Sequence, residues 1–228
     1  MRVGGQIGRR LERVRRSVDD AALRAGREPS DVRIVLVSKY ATVDQVRAAA
    51  DLGHCDFGEN YLQEAIVKMR AVGVSGLNWH FIGQLQSNKA AAVARAFTMI
   101  HTLSSASALR RVSAAMTTAD DSRRVLLQVR LGGGTARGGV EPGAAEDMAR
   151  TIAAAPGVVL DGIMGVAPPE SPPRPHFARL KVLLERLRAL GLANAPLGEM
   201  SAGMSGDFEE AIAEGATLVR IGRAVFET

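Results

Sequence analysis

A closed barrel of eight parallel strands ringed by helices, a single-domain (β/α)8 TIM barrel of the α/β class with an extra N-terminal helix, is the fold predicted for these 228 residues. Three observations predict it. Short apolar runs and helical patterns alternate from residue 33 onward, which produces a parallel sheet. Eight such runs can be counted in a chain of a length usual for one closed barrel. No linker is long enough to divide the chain, so residues 1–228 read as one domain. An open doubly wound sheet is the structural alternative.

Ile7, Leu11, Val14, Val18 and Ala22 recur at helical spacing, so residues 6–25 form an amphipathic helix that Gly26 ends. The strands are expected at 33–39, 54–58, 79–83, 99–103, 125–131, 159–166, 197–201 and 217–221. Helices are expected between them at 43–52, 60–71, 87–96, 106–116, 143–154, 176–190 and 207–214, the last with Asp207 and Glu210 as a capping box and Gly215 as its stop. Two irregular segments, Gly132–Gly139 and Pro168–Pro175, follow the fifth and sixth strands. They belong at the C-terminal face of a barrel, where active sites are built.

A hydrophobic content of 46% and a charged content of 23% are those of a soluble globular protein. The formal charge of +5 permits contact with anions, but the Arg residues are spread along helices, so specific nucleic-acid binding is not expected. Attraction of small phosphorylated ligands is the better use of that charge. Cys55 is the single cysteine and is read as an inert core thiol. One cysteine suits a reducing cytoplasm, and neither a membrane span nor a targeting segment is evident. Few histidines without ligand spacing predict no metal site.

Of 29 basic residues only Lys39, Lys68, Lys89 and Lys181 are Lys. Lys68 and Lys181 lie in helical stretches where Arg would serve. Lys39 ends the apolar run Arg33-Ile34-Val35-Leu36-Val37-Ser38-Lys39, and an amine at such a place can condense with a carbonyl, as a guanidinium cannot. At the other end of the chain, Ser201 and Ser205 offer hydroxyls in the loop after the seventh strand. Gly203 and Gly222 allow backbone amides to approach an anion. Arg220 lies inside the last strand, where a buried guanidinium needs an acceptor: a carboxylate such as Glu199, or a ligand. Alternation places Arg220 with Leu218, and Lys39 with Val35 and Val37, so both groups would look into one cavity.

Val37-Ser38-Lys39, Phe57-Gly58-Glu59-Asn60-Tyr61-Leu62-Gln63-Glu64, Trp79 to Lys89, and the segments Met200 to Asp207 and Thr217 to Arg223 together resemble the pyridoxal phosphate homeostasis proteins. These are single-domain relatives of the barrel domain of alanine racemase, and the resemblance runs from about residue 6 to the end. It implies pyridoxal 5′-phosphate as cofactor, held as a Schiff base on Lys39. Ser201, Ser205, Gly222 and the Arg223 amide would lie near the phosphate, Arg220 would face the pyridine nitrogen, and Asn60 would lie near the ring. Ala202, Gly206 and Arg137-Gly138-Gly139 depart from the family pattern.

The implied function is a cytoplasmic protein that carries or buffers the cofactor, with pyridoxal-phosphate-dependent apo-enzymes as acceptors and no dedicated turnover. Arg at the ring nitrogen weakens the electron sink, and the β domain of the racemases, with its catalytic tyrosine, has no counterpart here. The competing expectation is a small amino-acid racemase or lyase, for which Tyr61 and His80 are the candidate acid/bases. His80 otherwise reads as a satisfied core or rim histidine.

Overall fold

In the computed structural model, which describes residues 3–116, 122–132 and 138–227, the strand Arg33–Val37 (β1) pairs in parallel with both Asp56–Glu59 (β2) and Leu218–Ile221 (β8). This double pairing closes the sheet. Between them run Asn78–Phe81 (β3), Met99–Leu103 (β4), Arg123–Gln128 (β5), Val158–Met164 (β6) and Glu199–Met204 (β7), each beside its sequence neighbours in one closed barrel. The expected (β/α)8 architecture is the observed one.

Helix Val3–Arg24 (α1) buries Ile7, Leu11, Val14, Val18 and Ala22, the residues whose spacing predicted it. Its apolar stripe packs on Val43–Asp51 (α2), and the ion pair of Arg24 with Glu209 (2.7 Å) adds a rim contact. The remaining helices are Leu62–Val72 (α3), Ala90–Ala96 (α4), Ala106–Ala115 (α5), Ala145–Ala153 (α6), Arg174–Ala189 (α7), Phe208–Ala213 (α8) and Arg223–Phe226 (α9). α9 was not among the expected elements, because four residues are too few to show a helical period.

Two apolar layers result. The larger lies between barrel and helices, and a smaller one, Val35, Met99, Leu126, Met164 and Leu218, fills part of the barrel interior. Other interior positions are polar. They hold His80, His101, Ser201 and Arg220, all buried.

Several local expectations need correction. Asp207 and Glu210 form no capping box. Asp207 instead accepts from the Met204 amide (2.6 Å), closing the turn into α8. The capping box that does form joins Thr42 and Gln45 (3.2 and 2.9 Å) at the start of α2. Cys55 is exposed, just ahead of β2, not a core thiol. β7 begins two residues later than expected, after Leu197 takes a positive φ of 51°, and runs through Ser201 to Met204. Residues 133–137 of the glycine-rich segment, Arg137 among them, lie outside the described residues. Gly132 meets Pro168, whose ring an added Cβ would strike, so the two irregular segments abut.

Candidate functional site

β1 ends at Val37, and the chain turns at once, with the Ala41 amide donating to the Ser38 carbonyl (2.9 Å). Lys39 rides on this turn at the C-terminal face. It is half-buried, and its Nζ lies 4.8 Å from the centre of the exposed Tyr40 ring. Among the described residues no carboxylate pairs with it.

The turn is braced from the helix layer. Ser38 is fully buried and donates its hydroxyl to Glu59 Oε1 (2.8 Å). Lys68, reaching in from α3, donates to the same carboxylate oxygen (2.7 Å) and to the Ser38 carbonyl. The sequence reading missed this. Lys68 is not an interchangeable helix cation but the partner of a buried carboxylate, and only the nine-residue spacing of Glu59 and Lys68 across a strand-to-helix turn hinted at it.

Register decides what stands beside Lys39. Val37 is opposite Gly58 in β2, so Lys39 and Asn60 both lie just beyond the ends of neighbouring strands. Asn60 Oδ1 is buried with no hydrogen-bond partner, and the Asn60 backbone is covered closely by Gly83. On the other edge Leu36 is opposite Ile221, which brings Gly222 against Val37. A Cβ at Gly222 would stand 3.0 Å from the Val37 carbonyl oxygen, so only glycine fits there without displacement. Gly222 and the exposed Arg223 begin α9, whose first N–H groups have no acceptor within the helix.

Arg220 is opposite Val35 and shares the barrel interior with it. Its Nη1 donates to Ser201 Oγ (2.6 Å) and its Nη2 to the Gly165 carbonyl (3.1 Å) at the end of β6. Glu199, the carboxylate considered for it, pairs instead with Arg33 and Arg124. Among the described residues no carboxylate lies within ion-pair distance of Arg220. Burial lowers its pKa to about 10, with the charge of Asp207 opposing the shift.

Ser201 is therefore an interior residue in the body of β7 and not the loop donor expected, its hydroxyl engaged by Arg220 and by His101 Nδ1 (2.9 Å). His101 Nε2 meets His80 Nδ1 (2.9 Å), and His80 Nε2 meets Asp56 Oδ1 (2.9 Å) at the start of β2. Burial, reinforced by the charge of Arg220, holds His101 well below the usual 6.5. Burial pulls the Asp56 carboxyl upward, but the hydrogen bond from His80, helped by the charge of Arg33, outweighs it and leaves the carboxyl below 3.8. His80 is thus a satisfied interior histidine, and Tyr61 is about half exposed at the start of α3.

Ser205 stands apart. It is half-buried in the turn after β7 and lines a groove of about 710 Å³ with Arg24, Arg174 and Asp207, a groove to which none of the other six candidates contributes. Gly203 has a φ of 88°, and its missing side chain makes room for Phe208 and Ala211 of α8, so its role is packing. The structure thus gathers Lys39, Asn60, Gly222 and Arg223 at adjoining strand ends, joins Arg220 to Ser201 within the barrel, and leaves Ser205 at the rim. Among the described residues no cluster of three His, Cys, Asp or Glu side chains is arranged to hold a metal, and no helix is long and apolar enough to cross a membrane.

Residues 10–228 match the family described as alanine racemase, N-terminal domain. The pyridoxal phosphate homeostasis protein of Escherichia coli is 34% identical over 223 residues, covering 96% of this chain and 95% of that one. The protein of the same name from Pseudomonas aeruginosa is 37% identical, covering 96% and 94%. The structure of PipY from Synechococcus elongatus, solved with PLP bound, superposes with a TM-score of 0.81 at 31% identity, covering 97% of this chain and 100% of that one.

Proposed function

Because the chain belongs to the alanine racemase N-terminal domain family, we propose that it binds pyridoxal 5′-phosphate and carries or buffers it in vitamin B6 homeostasis, as the names of its relatives indicate for them. The observation that carries this reading is the order of β8, β1 and β2 in the barrel, which sets Gly222, Lys39 and Asn60 just beyond the ends of adjoining strands, with Arg220 on the interior face of β8. The donor set fits the cofactor. It has a primary amine, a buried guanidinium bonded only to neutral oxygens, a buried amide oxygen without a partner, and a backbone approach that a Cβ would block.

When bound, the cofactor supplies an aldehyde that condenses with amines and an electron-withdrawing ring. In this reading Lys39 holds the aldehyde carbon and Arg220 donates toward the ring nitrogen. Asn60 lies by the ring, and the backbone at Gly222 and Arg223 receives the phosphate with Ser205 at its margin. Ser201 acts behind Arg220. The brace of Ser38, Glu59 and Lys68 keeps the Lys39 turn in place. Residues 1–228 serve as one binding domain, working in the cytoplasm, with apo-enzymes that need the cofactor as acceptors.

No dedicated turnover is part of this reading. His80 is sealed in the interior by Asp56 and His101, which removes it as an acid/base for a substrate α-carbon. The test is borohydride reduction of protein loaded with pyridoxal phosphate, followed by peptide mapping. The cofactor's mass should appear on the peptide containing Lys39, and a label confined to Lys89 or Lys181 would move the site. Incubation with D- and L-amino acids should show no protein-dependent exchange of the α-proton, whereas stereospecific exchange would restore the racemase reading.

A further inference from the structure

A relay of interior side chains links the two faces of the barrel: Asp56 at the N-terminal end of β2, His80 in β3, His101 in β4, Ser201 in β7 and Arg220 in β8, which reaches the Gly165 carbonyl beyond β6. Its polarity follows from its ends, since a carboxylate only accepts hydrogen bonds and a guanidinium only donates them. Asp56 Oδ1 accepts from His80 Nε2–H (2.9 Å). The other nitrogen of a neutral His80 ring, Nδ1, accepts from His101 Nε2–H (2.9 Å). His101 Nδ1 then accepts the Ser201 hydroxyl proton (2.9 Å). The Ser201 oxygen, its own proton directed at His101, is left to accept from Arg220 Nη1 (2.6 Å).

Every link is satisfied in this one sense. Reversed, His101 Nδ1–H would point at Ser201 while Arg220 also donates to it, and the serine proton would have no acceptor among these partners.

We propose that Asp56, His80 and His101 are positioning residues, a one-way relay that holds Ser201 as an acceptor and thereby fixes the Arg220 guanidinium in the orientation it presents to the ring nitrogen of bound pyridoxal phosphate. The inference rests on the function proposed above. It shows how a buried cation with no carboxylate in contact is still anchored: the chain of hydrogen bonds that begins at its Nη1 ends on the Asp56 carboxylate. A carboxylate in direct contact would take up the guanidinium's donors in a paired fork. A single serine oxygen and one backbone carbonyl anchor the group while leaving its other N–H groups for a ligand.

Two measurements test the relay, and the first needs no cofactor. Nitrogen-15 NMR of the histidine rings in the isolated protein should show both His80 and His101 protonated on Nε2 and bare on Nδ1, and the opposite tautomer at His101 overturns the relay. Second, His101→Phe and Asp56→Asn should each raise the dissociation constant for pyridoxal phosphate and shift its bound absorption maximum. For His101→Phe the increase should be about tenfold, the usual scale for losing a hydrogen bond to a charged group, while borohydride still fixes the label on Lys39. A folded variant of either kind with unchanged affinity and spectrum overturns the proposal, and should His101→Phe fail to fold, Asp56→Asn decides alone. If the unaltered protein takes no label on Lys39, the proposed function fails, an outcome distinct from a wrong tautomer.

Discussion

Lys68 and Glu59 form a buried ion pair, Nζ to Oε1 2.7 Å, and the same ammonium grips the carbonyl of Ser38, the residue before Lys39. The pair ties α3 to the ends of β1 and β2 at the point where the chain turns to present its candidate amine. A buried pair adds little net stability against an apolar replacement, but removal of one partner strands the other.

Lys68→Met should therefore destabilise the protein by about 3 kcal/mol, because Glu59 would remain buried with only Ser38 for support. The double replacement Glu59→Leu with Lys68→Met should recover much of that loss. Urea denaturation midpoints of the two variants check the difference. Equal destabilisation of both would show that the pair itself was not responsible.

Lys39→Ala should leave stability within about 0.5 kcal/mol of the original, the range usual for a surface side chain outside the core and its polar networks, since the one contact described for its amine is with the exposed Tyr40 ring. Lys39 is half-buried and no carboxylate pairs with it. The variant should nevertheless lose covalent retention of pyridoxal phosphate after borohydride treatment. Thermal unfolding and mass spectrometry on one sample read both outcomes.

Ser201→Ala should cost about 1–3 kcal/mol, since it leaves His101 Nδ1 without its donor and Arg220 Nη1 without its acceptor in the barrel interior. Cofactor retention should weaken with it. An unaltered denaturation midpoint would mean that interior water replaces the hydroxyl without loss.

Acid should destabilise the folded state from about pH 6.5 downward. Burial lowers the pKa values of both His101 and His54 from 6.5. The unfolded chain binds protons there that the folded chain refuses, so stability rises with pH through that window and is lost as pH falls. Each such proton contributes a slope of up to about 1.4 kcal/mol per pH unit. Burial raises the carboxyl of Asp161 from 3.8 and gives it the opposite sign at lower pH. The informative comparison is His101→Phe, whose stability should vary less steeply as pH falls below about 6.5.

Gly222→Ala should destabilise by about 1–3 kcal/mol, because the new Cβ would lie 3.0 Å from the Val37 carbonyl oxygen and 3.1 Å from its Cβ. β8 and β1 would have to separate near the candidate phosphate backbone. A loss of cofactor affinity without loss of stability would point to a role for Gly222 at the ligand alone.

Much of this protein was legible as a linear pattern. Eight apolar runs with helices between them specify a barrel because a parallel strand pair needs a crossover, and the place of Arg220 on the interior face with Leu218 follows from alternation, whereas Lys39 lies past the end of β1 on a turn that alternation does not describe. Boundaries were less legible where composition misleads. Gly203 looks like a loop residue yet belongs to β7, which runs past its expected end at Ser201, and Cys55 looks apolar yet is exposed. Asp207 has the spacing of a capping box, but its carboxylate is taken by the Met204 amide.

By itself the sequence determined which residue types were available, and in which order along the strands: one lysine at a strand end, one arginine inside the last strand, glycines and serines after the seventh. Only the closed barrel decided their partners. Asp56, His80, His101, Ser201 and Arg220 are separated by up to 164 positions, the difference between the first and last numbers, and no local period connects them. They meet because closure turns one face of every strand toward a common axis, where polar groups deprived of water must bond to one another.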